Sequence, residues 1–205
     1  MDVENKWDTI DDEVWAKIVI MQRNRRIAKA YVTTQIITVN GSRCGFQGTV
    51  VGLNGFQNLE SDPEVDACKS MIDGGCKLKL TESGDVLIKR AGHCPIIVSN
   101  GTTRDEINSS PMEALEQNKP MKIFDMRRFK QSLNREMKKS KPNWNNLKLQ
   151  VTFVFLFKII DFALQTIISF SFGIPKGDFL HSTVWVVLLN MVALEMIQDK
   201  IDEMF

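Results

Sequence analysis

The 205-residue chain has few of the side chains on which most cofactor and catalytic sites depend. It contains two histidines, His93 and His181, and four cysteines, without a Cys-x-x-Cys pair or a histidine at zinc-binding spacing. Reduced cysteines that pack as small hydrophobic side chains are therefore expected. Because neither histidine lies in a nucleophile motif, the sequence predicts a protein that is not an enzyme and holds no metal or cofactor.

The chain also lacks a large net charge, a secretory signal and a phosphate-binding loop. Its formal net charge is +1, so no overall field attracts nucleic acid or a membrane surface. Residues 1–9 are polar and acidic, without the apolar stretch of a signal peptide. The glycines of residues 41–55 lack the Gly-Lys-Ser/Thr that ends a phosphate loop. A cytoplasmic protein is expected, with a nuclear location as the alternative.

Long apolar runs are scarce, and the strongest one, Val151–Ile174, contains Lys158 and Asp161. Two charges near the centre of a membrane span would each cost about 3 kcal/mol, so no span is predicted. The run is interpreted as a buried helix followed by a strand. Before it, the alternation of Leu147–Phe153 indicates a strand, and the change from strand to helix is placed near Thr152.

The stretch Cys76–Ser99 has the clearest pattern of the chain. Apolar and polar residues first alternate, as in a half-buried strand, and Ser83–Asp85 then has turn chemistry. Two β-branched runs, Val86–Ile88 and Ile96–Val98, follow on either side of the turn Ala91–Pro95. The simplest product is an antiparallel meander of three strands, which must bury its apolar face against a second layer.

Short strands joined by tight turns recur along the rest of the chain, with fewer helices between them. This arrangement predicts a mainly β protein, an antiparallel β-sandwich with helices packed at its ends. The remaining predicted strands are Trp15–Met21, Arg26–Val32, Gln35–Val39, Gly48–Val51, Met121–Phe124, Ile167–Phe172 and Thr183–Leu189. The predicted helices begin at Ser61–Glu64, at Asp125 and at Met191.

The first residues differ in composition from the rest and are treated as a separate unit, residues 1–14. Asp2–Glu13 is acidic, and Val3, Trp7, Ile10 and Val14 recur at spacings of three and four. This pattern predicts an extra N-terminal amphipathic helix, and a disordered tail is the alternative. Residues 15–205 form the predicted main domain.

The helix after Asp125 carries a dense set of cations, here called the basic helix surface. Such a surface can dock an acidic or phosphorylated protein partner, although a merely solvated helix face is the simpler interpretation. It can also lie near the acidic segment of the same chain. Nucleic acid is not expected, because no aromatic residues alternate with the cations. The surface consists of Arg127, Arg128, Lys130, Arg135, Lys138 and Lys139.

An ordered set of short motifs resembles the Mad-homology 2 domain, the C-terminal domain of Smad proteins. The motifs are Val39-Asn40-Gly41, Gly74–Leu78, Lys122–Asp125, Ser182–Trp185 and Leu194–Met204. The resemblance extends over residues 15–205. It implies a sandwich of the Smad/FHA type and a role in protein–protein interaction.

The chain departs from Smads at two places on which Smad assembly depends. Lys200–Phe205 contains no serine, whereas Smads end in a Ser-x-Ser tail that receptor kinases phosphorylate. Phe172 stands where Smads have a phosphate-binding lysine, and the shortened loop Gly173–Ser182 offers only Lys176 and His181. The resemblance therefore implies a non-Smad member, closest to the Expansion proteins, with a role in epithelial tube formation outside transforming-growth-factor-β signalling. A monomer is favoured, and a phosphoserine-dependent trimer is the alternative.

The same loop is the second candidate for partner binding. With Trp7, its aromatic and aliphatic residues Phe172, Ile174 and Phe179 can form an exposed apolar docking patch. Burial of Phe172 in the core is the favoured alternative, since large aromatic side chains usually pack inside.

Overall fold

A computed structural model describes residues 14–57, 62–100, 113–157 and 183–204 of the chain. Within these ranges, strands dominate; helices interrupt the strands at two points, and a further helix follows the last strand. The elements are β1 (Ala16–Gln22), β2 (Arg25–Val32), β3 (Ile36–Asn40), β4 (Gly45–Phe46), β5 (Val50–Gly52), a 3₁₀ turn (Leu53–Gly55), α1 (Pro63–Met71), β6 (Cys76–Leu80), β7 (Val86–Arg90), β8 (Ile96–Asn100), β9 (Glu113–Ala114), β10 (Pro120–Phe124), α2 (Met126–Met137), α3 (Trp144–Gln150), β11 (Thr152–Phe157), β12 (Val184–Asn190) and α4 (Met191–Asp202).

The strands form two six-stranded sheets, which confirms the predicted β-sandwich. The first sheet has the order β2-β1-β12-β11-β8-β9, and the second has the order β10-β7-β6-β3-β5-β4. Neighbouring named strands are antiparallel except for β3 and β5. Alternate side chains of each sheet enter one core, as Ile18 and Leu188 do in the first sheet and Ile37 and Leu78 in the second.

Three helices cluster at one end of the sandwich. Helices α2, α3 and α4 contact one another, and α4 also contacts β1 and β12. The backbone N–H of Met191 donates to the carbonyl of Trp15 at 2.9 Å, so α4 begins beside the start of β1. At its N-cap, Asn190 Oδ1 accepts from the backbone N–H of Ala193. The predicted helix after Met191 is thereby confirmed.

The predicted three-stranded meander is wrong in its third strand. Strands β6 and β7 pair as expected, but β8 crosses to the first sheet and pairs with β11, while β10 takes the free edge of β7. The turn after β7 is held back against the α1–β6 connection, because the backbone N–H groups of Ala91 and Gly92 donate to the carbonyl of Gly75. Pro95 then precedes β8 without an N–H to extend a hairpin ladder.

The order of helix and strand around Thr152 is the reverse of the prediction. Helix α3 comes first and β11 second, with Leu147 and Val151 both fully buried one helical turn apart. Two residues four positions apart lie on the same face of a helix, and they also lie on the same face of a strand. The positions of Leu147 and Val151 therefore did not distinguish the two structures. The decisive signal was Asn143, whose side-chain oxygen accepts a hydrogen bond from the backbone N–H of Asn146.

The predicted helix at Ser61–Glu64 is confirmed as α1. Asp62 caps it by accepting from the backbone N–H groups of Glu64 and Val65. The predicted N-terminal helix and the predicted strand Ile167–Phe172 lie outside the described residues. Among the helices of the described ranges, none has both the length and the apolar content to cross a bilayer.

Candidate functional site

The basic helix surface is presented by α2, whose first turn is anchored by two carboxylates. Asp125 Oδ1 accepts from the backbone N–H of Arg128 at 2.9 Å, as an N-cap does. Asp85, from the β6–β7 turn, accepts from the backbone N–H of Met126 at 2.9 Å. Lys122 Nζ lies 2.7 Å from Asp85 and 3.2 Å from Asp125. These bonds fix the direction in which α2 leaves the second sheet.

The anchor is charged at neutral pH. The hydrogen bond from Lys122 lowers the pKa of Asp85, and the same bond raises the pKa of Lys122. The backbone N–H of Arg128 is the main cause of the lowered pKa of Asp125. Because both carboxyl pKa values are depressed, the stabilisation is present above the unfolded-state pKa and is lost as the pH falls through the folded-state values.

One side of α2 packs into the core and determines which side faces outward. Met126, Phe129 and Leu133 are buried and Met137 is half-buried, so these residues form an apolar stripe along the helix. The rings of Phe129 and Phe124 lie 5.5 Å apart at an interplanar angle of 46°. A helix with this apolar stripe directs most of its other side chains to solvent.

All six cations of the basic helix surface are exposed. Arg127, Gln131 and Arg135 follow one another at intervals of four residues, and Lys138 continues the stripe three residues later, so they share the outermost face. Five of the six have no ion-pair partner within the described part of the chain: Arg127, Arg128, Lys130, Arg135 and Lys138.

Glu136, the one carboxylate in the α2 sequence, does not contribute to the exposed face of the helix. The residue is 7% exposed, and its Oε1 binds Lys139 Nζ at 2.5 Å. Its Oε2 accepts from the backbone N–H of Asn143 at 3.0 Å, which ties the end of α2 to the start of α3. The hydrogen bond from Lys139 is the largest cause of the lowered pKa of Glu136, and the hydrogen bond from the backbone N–H of Asn143 is the second largest. Because Glu136 is turned inward, the outer stripe contains three cations and the neutral Gln131, and it contains no carboxylate.

The histidine at position 93 has a structural partner. His93 Nδ1 lies 2.7 Å from Asp73 Oδ2, and the backbone N–H of His93 donates to the same carboxylate at 2.9 Å. Burial alone would raise the pKa of Asp73, but these hydrogen bonds outweigh it and hold the pKa at about 2. A Cβ added to Gly92 would lie 1.8 Å from Asp73 Oδ1, so the turn needs glycine there.

The cysteines pack inside the protein as expected. Cys68, Cys76 and Cys94 are buried and Cys44 is half-buried, all as free thiols. Desolvation raises the pKa of Cys68 and of Cys76 to about 12, so these thiols stay protonated and unreactive at neutral pH. No three His, Cys, Asp or Glu side chains of the described ranges converge on a point where a metal ion could bind.

The second predicted docking site lies outside the described residues, as does the acidic segment 1–13. This applies to Phe172, Ile174, Lys176, Phe179 and His181.

A second cationic surface was missed in the sequence. It lies on the outer side of the second sheet and is here called the lysine face: Lys77 and Lys79 on β6, Lys89 on β7 and Lys122 on β10. Leu78, between the first two, is fully buried on the inner side. The alternation of lysine and leucine in β6 was the available signal, since a strand directs alternate side chains to opposite faces.

The MH2 domain family matches residues 13–182 of the chain. The chain therefore belongs to the MH2 domain family. No curated protein matches it.

Solved structures with a similar fold include a domain of an interferon regulatory factor. The crystal structure of the interferon regulatory factor 9 IAD domain superposes with a TM-score of 0.62 and 12% identity, covering 94% of this chain and 91% of that one. A chain from the crystal structure of STAT2 in complex with IRF9 gives a TM-score of 0.59 and 12% identity, covering 92% and 98%. At this identity the likeness concerns the fold.

Proposed function

We propose that this MH2-family domain is a non-catalytic protein-interaction module that binds an acidic or phosphorylated segment of a partner on the basic helix surface. The observation that carries the proposal is the outward stripe of α2, where cations have no neutralising partner among the described residues. Arginine guanidinium groups bind carboxylate and phosphate oxygens in a fork, so Arg127 and Arg128 suit such a ligand.

The rigidity of the surface also supports the proposal. Because Asp85, Lys122 and Asp125 anchor one end of α2 and Glu136 joins its other end to α3, the cations start from a fixed backbone. A pre-organised surface loses less conformational entropy when it binds. One structural neighbour comes from a complex of two proteins, STAT2 with IRF9, which accords with use of this fold in protein–protein contacts.

The biological setting is proposed from the sequence resemblance. A member closest to the Expansion group, acting in the cytoplasm and outside transforming-growth-factor-β signalling, fits the presence of Phe172 where Smads have a phosphate-binding lysine. A monomeric domain is the corresponding assembly state.

The test is a binding titration of the full chain with a doubly phosphorylated Ser-x-Ser peptide and with a polyglutamate peptide. The variant R127E/R128E is expected to weaken binding of either peptide at least about tenfold, since two contacts of about 0.7 kcal/mol or more are replaced by repulsion. The matched control R26E/R43E makes the same charge change at two exposed arginines elsewhere and should bind like the parent. Equal binding by R127E/R128E and the parent would remove α2 from consideration.

The alternative function is a Smad-like transducer that assembles into phosphoserine-dependent trimers. Light scattering in the same titration separates the two functions by the mass of the complex. The proposed module remains one chain with one peptide, whereas a threefold increase in mass would establish the alternative.

A further inference from the structure

The lysine face is an unusual surface for a sheet. Registers pair Thr38 with Lys77, and Lys77 with Lys89, across three neighbouring strands. The next row crosses four strands. Lys79 pairs with Ile36 on one side and with Leu87 on the other, and Leu87 in turn pairs with Lys122. The face is therefore a grid of lysines with apolar side chains between them.

This arrangement costs free energy in the isolated sheet. Lys77 and Lys89 stand directly opposite each other, and like charges at that position repel. Lys122 is neutralised by Asp85 and Asp125, but Lys77, Lys79 and Lys89 have no ion pair with any described residue. Ile36, an exposed large hydrophobic residue, retains 48% of its accessible surface. Both features disappear if an acidic, partly apolar segment covers the face.

The chain itself contains a segment of that composition. Residues 1–13 hold six carboxylates and one lysine, together with Val3, Trp7 and Ile10. Thirteen residues span up to about 43 Å when extended, whereas the four strands from β3 to β10 cover about 15 Å. The segment is therefore long enough to cross the whole face.

The segment also leaves the domain at the border of the lysine face. Residue 14 precedes Trp15, whose indole Nε1 donates to the carbonyl of Thr34 at 2.7 Å. Two residues later, Ile36 begins β3 and pairs with Lys79. The backbone N–H of Leu80 donates to the carbonyl of Gln35 at 2.9 Å, which closes this corner.

We infer that the acidic segment 1–13 docks on the lysine face of its own domain, with its carboxylates on Lys77, Lys79 and Lys89 and its apolar side chains over Ile36 and Leu87. Covalent connection favours this occupant over an acidic segment from another molecule, because a short tether gives an effective concentration in the millimolar range. The docked segment shields the repelling lysines, and a partner that uses this face must displace it.

The test is zero-length carbodiimide cross-linking of the full chain, followed by peptide mass spectrometry. Amides from carboxylates of residues 1–13 to Lys77, Lys79 and Lys89 are expected at a yield at least tenfold above those to Lys130 and Lys138, which are exposed on the basic helix surface. The excess should vanish in 1 M NaCl, where the screening length falls to about 3 Å. Even yields over all exposed lysines, or a maximum at Lys130 and Lys138, would overturn the proposal.

Two further measurements test whether the segment docks on its own chain and whether it shields the lysines. In a mixture of ¹⁵N-labelled and unlabelled chains, cross-links should contain peptides of one isotope only, and mixed pairs would show docking on a second copy instead.

In the full-length variant D2N/E4Q/D8N/D11N/D12N/E13Q, acetylation of Lys77, Lys79 and Lys89 should be at least threefold faster than in the parent, with the acetylation rates of Lys130 and Lys138 unchanged. Unchanged rates at the lysine face would contradict the proposal.

Discussion

The carboxylate of Asp73 lies between the end of α1 and the turn that follows β7. It accepts hydrogen bonds from the backbone and the ring of His93, and Gly92 permits its close approach. These contacts hold the turn against the α1–β6 connection, at the point where the chain leaves the second sheet for the first. Asp73 and the carbonyl of Gly75 thus together secure the crossover on which the sandwich topology depends.

We expect D73N to be less stable than the parent by about 1 kcal/mol at pH 7. The full depression of its pKa, from 3.8 to about 2, corresponds to roughly 2.4 kcal/mol. Solvent screening reduces that value, because 41% of the side chain is exposed. The contribution of a depressed carboxyl pKa is present above about pH 4 and is lost as the pH falls towards 2.

Urea unfolding of D73N and the parent between pH 7 and pH 2 measures this difference. The stability gap should close as the pH falls from 4 to 2. The control is D199N, at an exposed aspartate of α4 whose side chain has no hydrogen bond or ion pair among the described residues. A gap that is independent of pH, or one shared by D199N, would show that Asp73 does not act through its charge.

Among the individual elements, α2 has a clear apolar stripe and an N-terminal cap that fixes the direction of the helix. Its position was predictable from the sequence, because Asp125, the stripe and the cations all indicate one helix. The anchoring role of Asp85 was not predictable, since it joins residues 41 positions apart. Burial of Glu136 was equally hidden, because its partner Asn143 lies beyond the end of the helix.

The contribution of the α2 N-cap to the free energy of unfolding can be measured by comparing D125A with D125N. Alanine removes the acceptor for the Arg128 N–H and is expected to lower the free energy of unfolding by about 1 kcal/mol. Asparagine retains an acceptor of the same shape, so D125N should lose only the ion pair with Lys122, a few tenths of a kcal/mol at this partly exposed position. Equal losses in the two variants, in urea unfolding at pH 7, would contradict a capping role.

For the whole molecule, the sequence patterns established the class of fold but not its complete topology. Short strands and tight turns indicated a sandwich, yet a local pattern does not specify which sheet a strand joins, as β8 shows. The reversal of α3 and β11 has a similar origin, since Leu147 and Val151 fit both periods. Long-range pairing and burial resolve such ambiguities in the folded chain.

The two cationic surfaces also differ in how far the sequence alone could predict them. The basic helix surface follows from one contiguous segment and was predicted residue by residue. The lysine face combines three strands, and the outward position of Lys89 and Lys122 depends on registers that appear only in the assembled second sheet. The domain therefore presents two cationic surfaces, one proposed to bind a partner and one proposed to hold the chain's own acidic segment.

The most direct test of the proposed function is a map of backbone amide shifts in the full ¹⁵N-labelled chain during titration with the doubly phosphorylated Ser-x-Ser peptide. We predict saturable shifts concentrated in Met126–Met137, and their loss in R127E/R128E while the folded spectrum is retained. Saturable shifts centred on another part of the domain, or the same shifts in R127E/R128E, would contradict the proposal that α2 is the partner-binding surface.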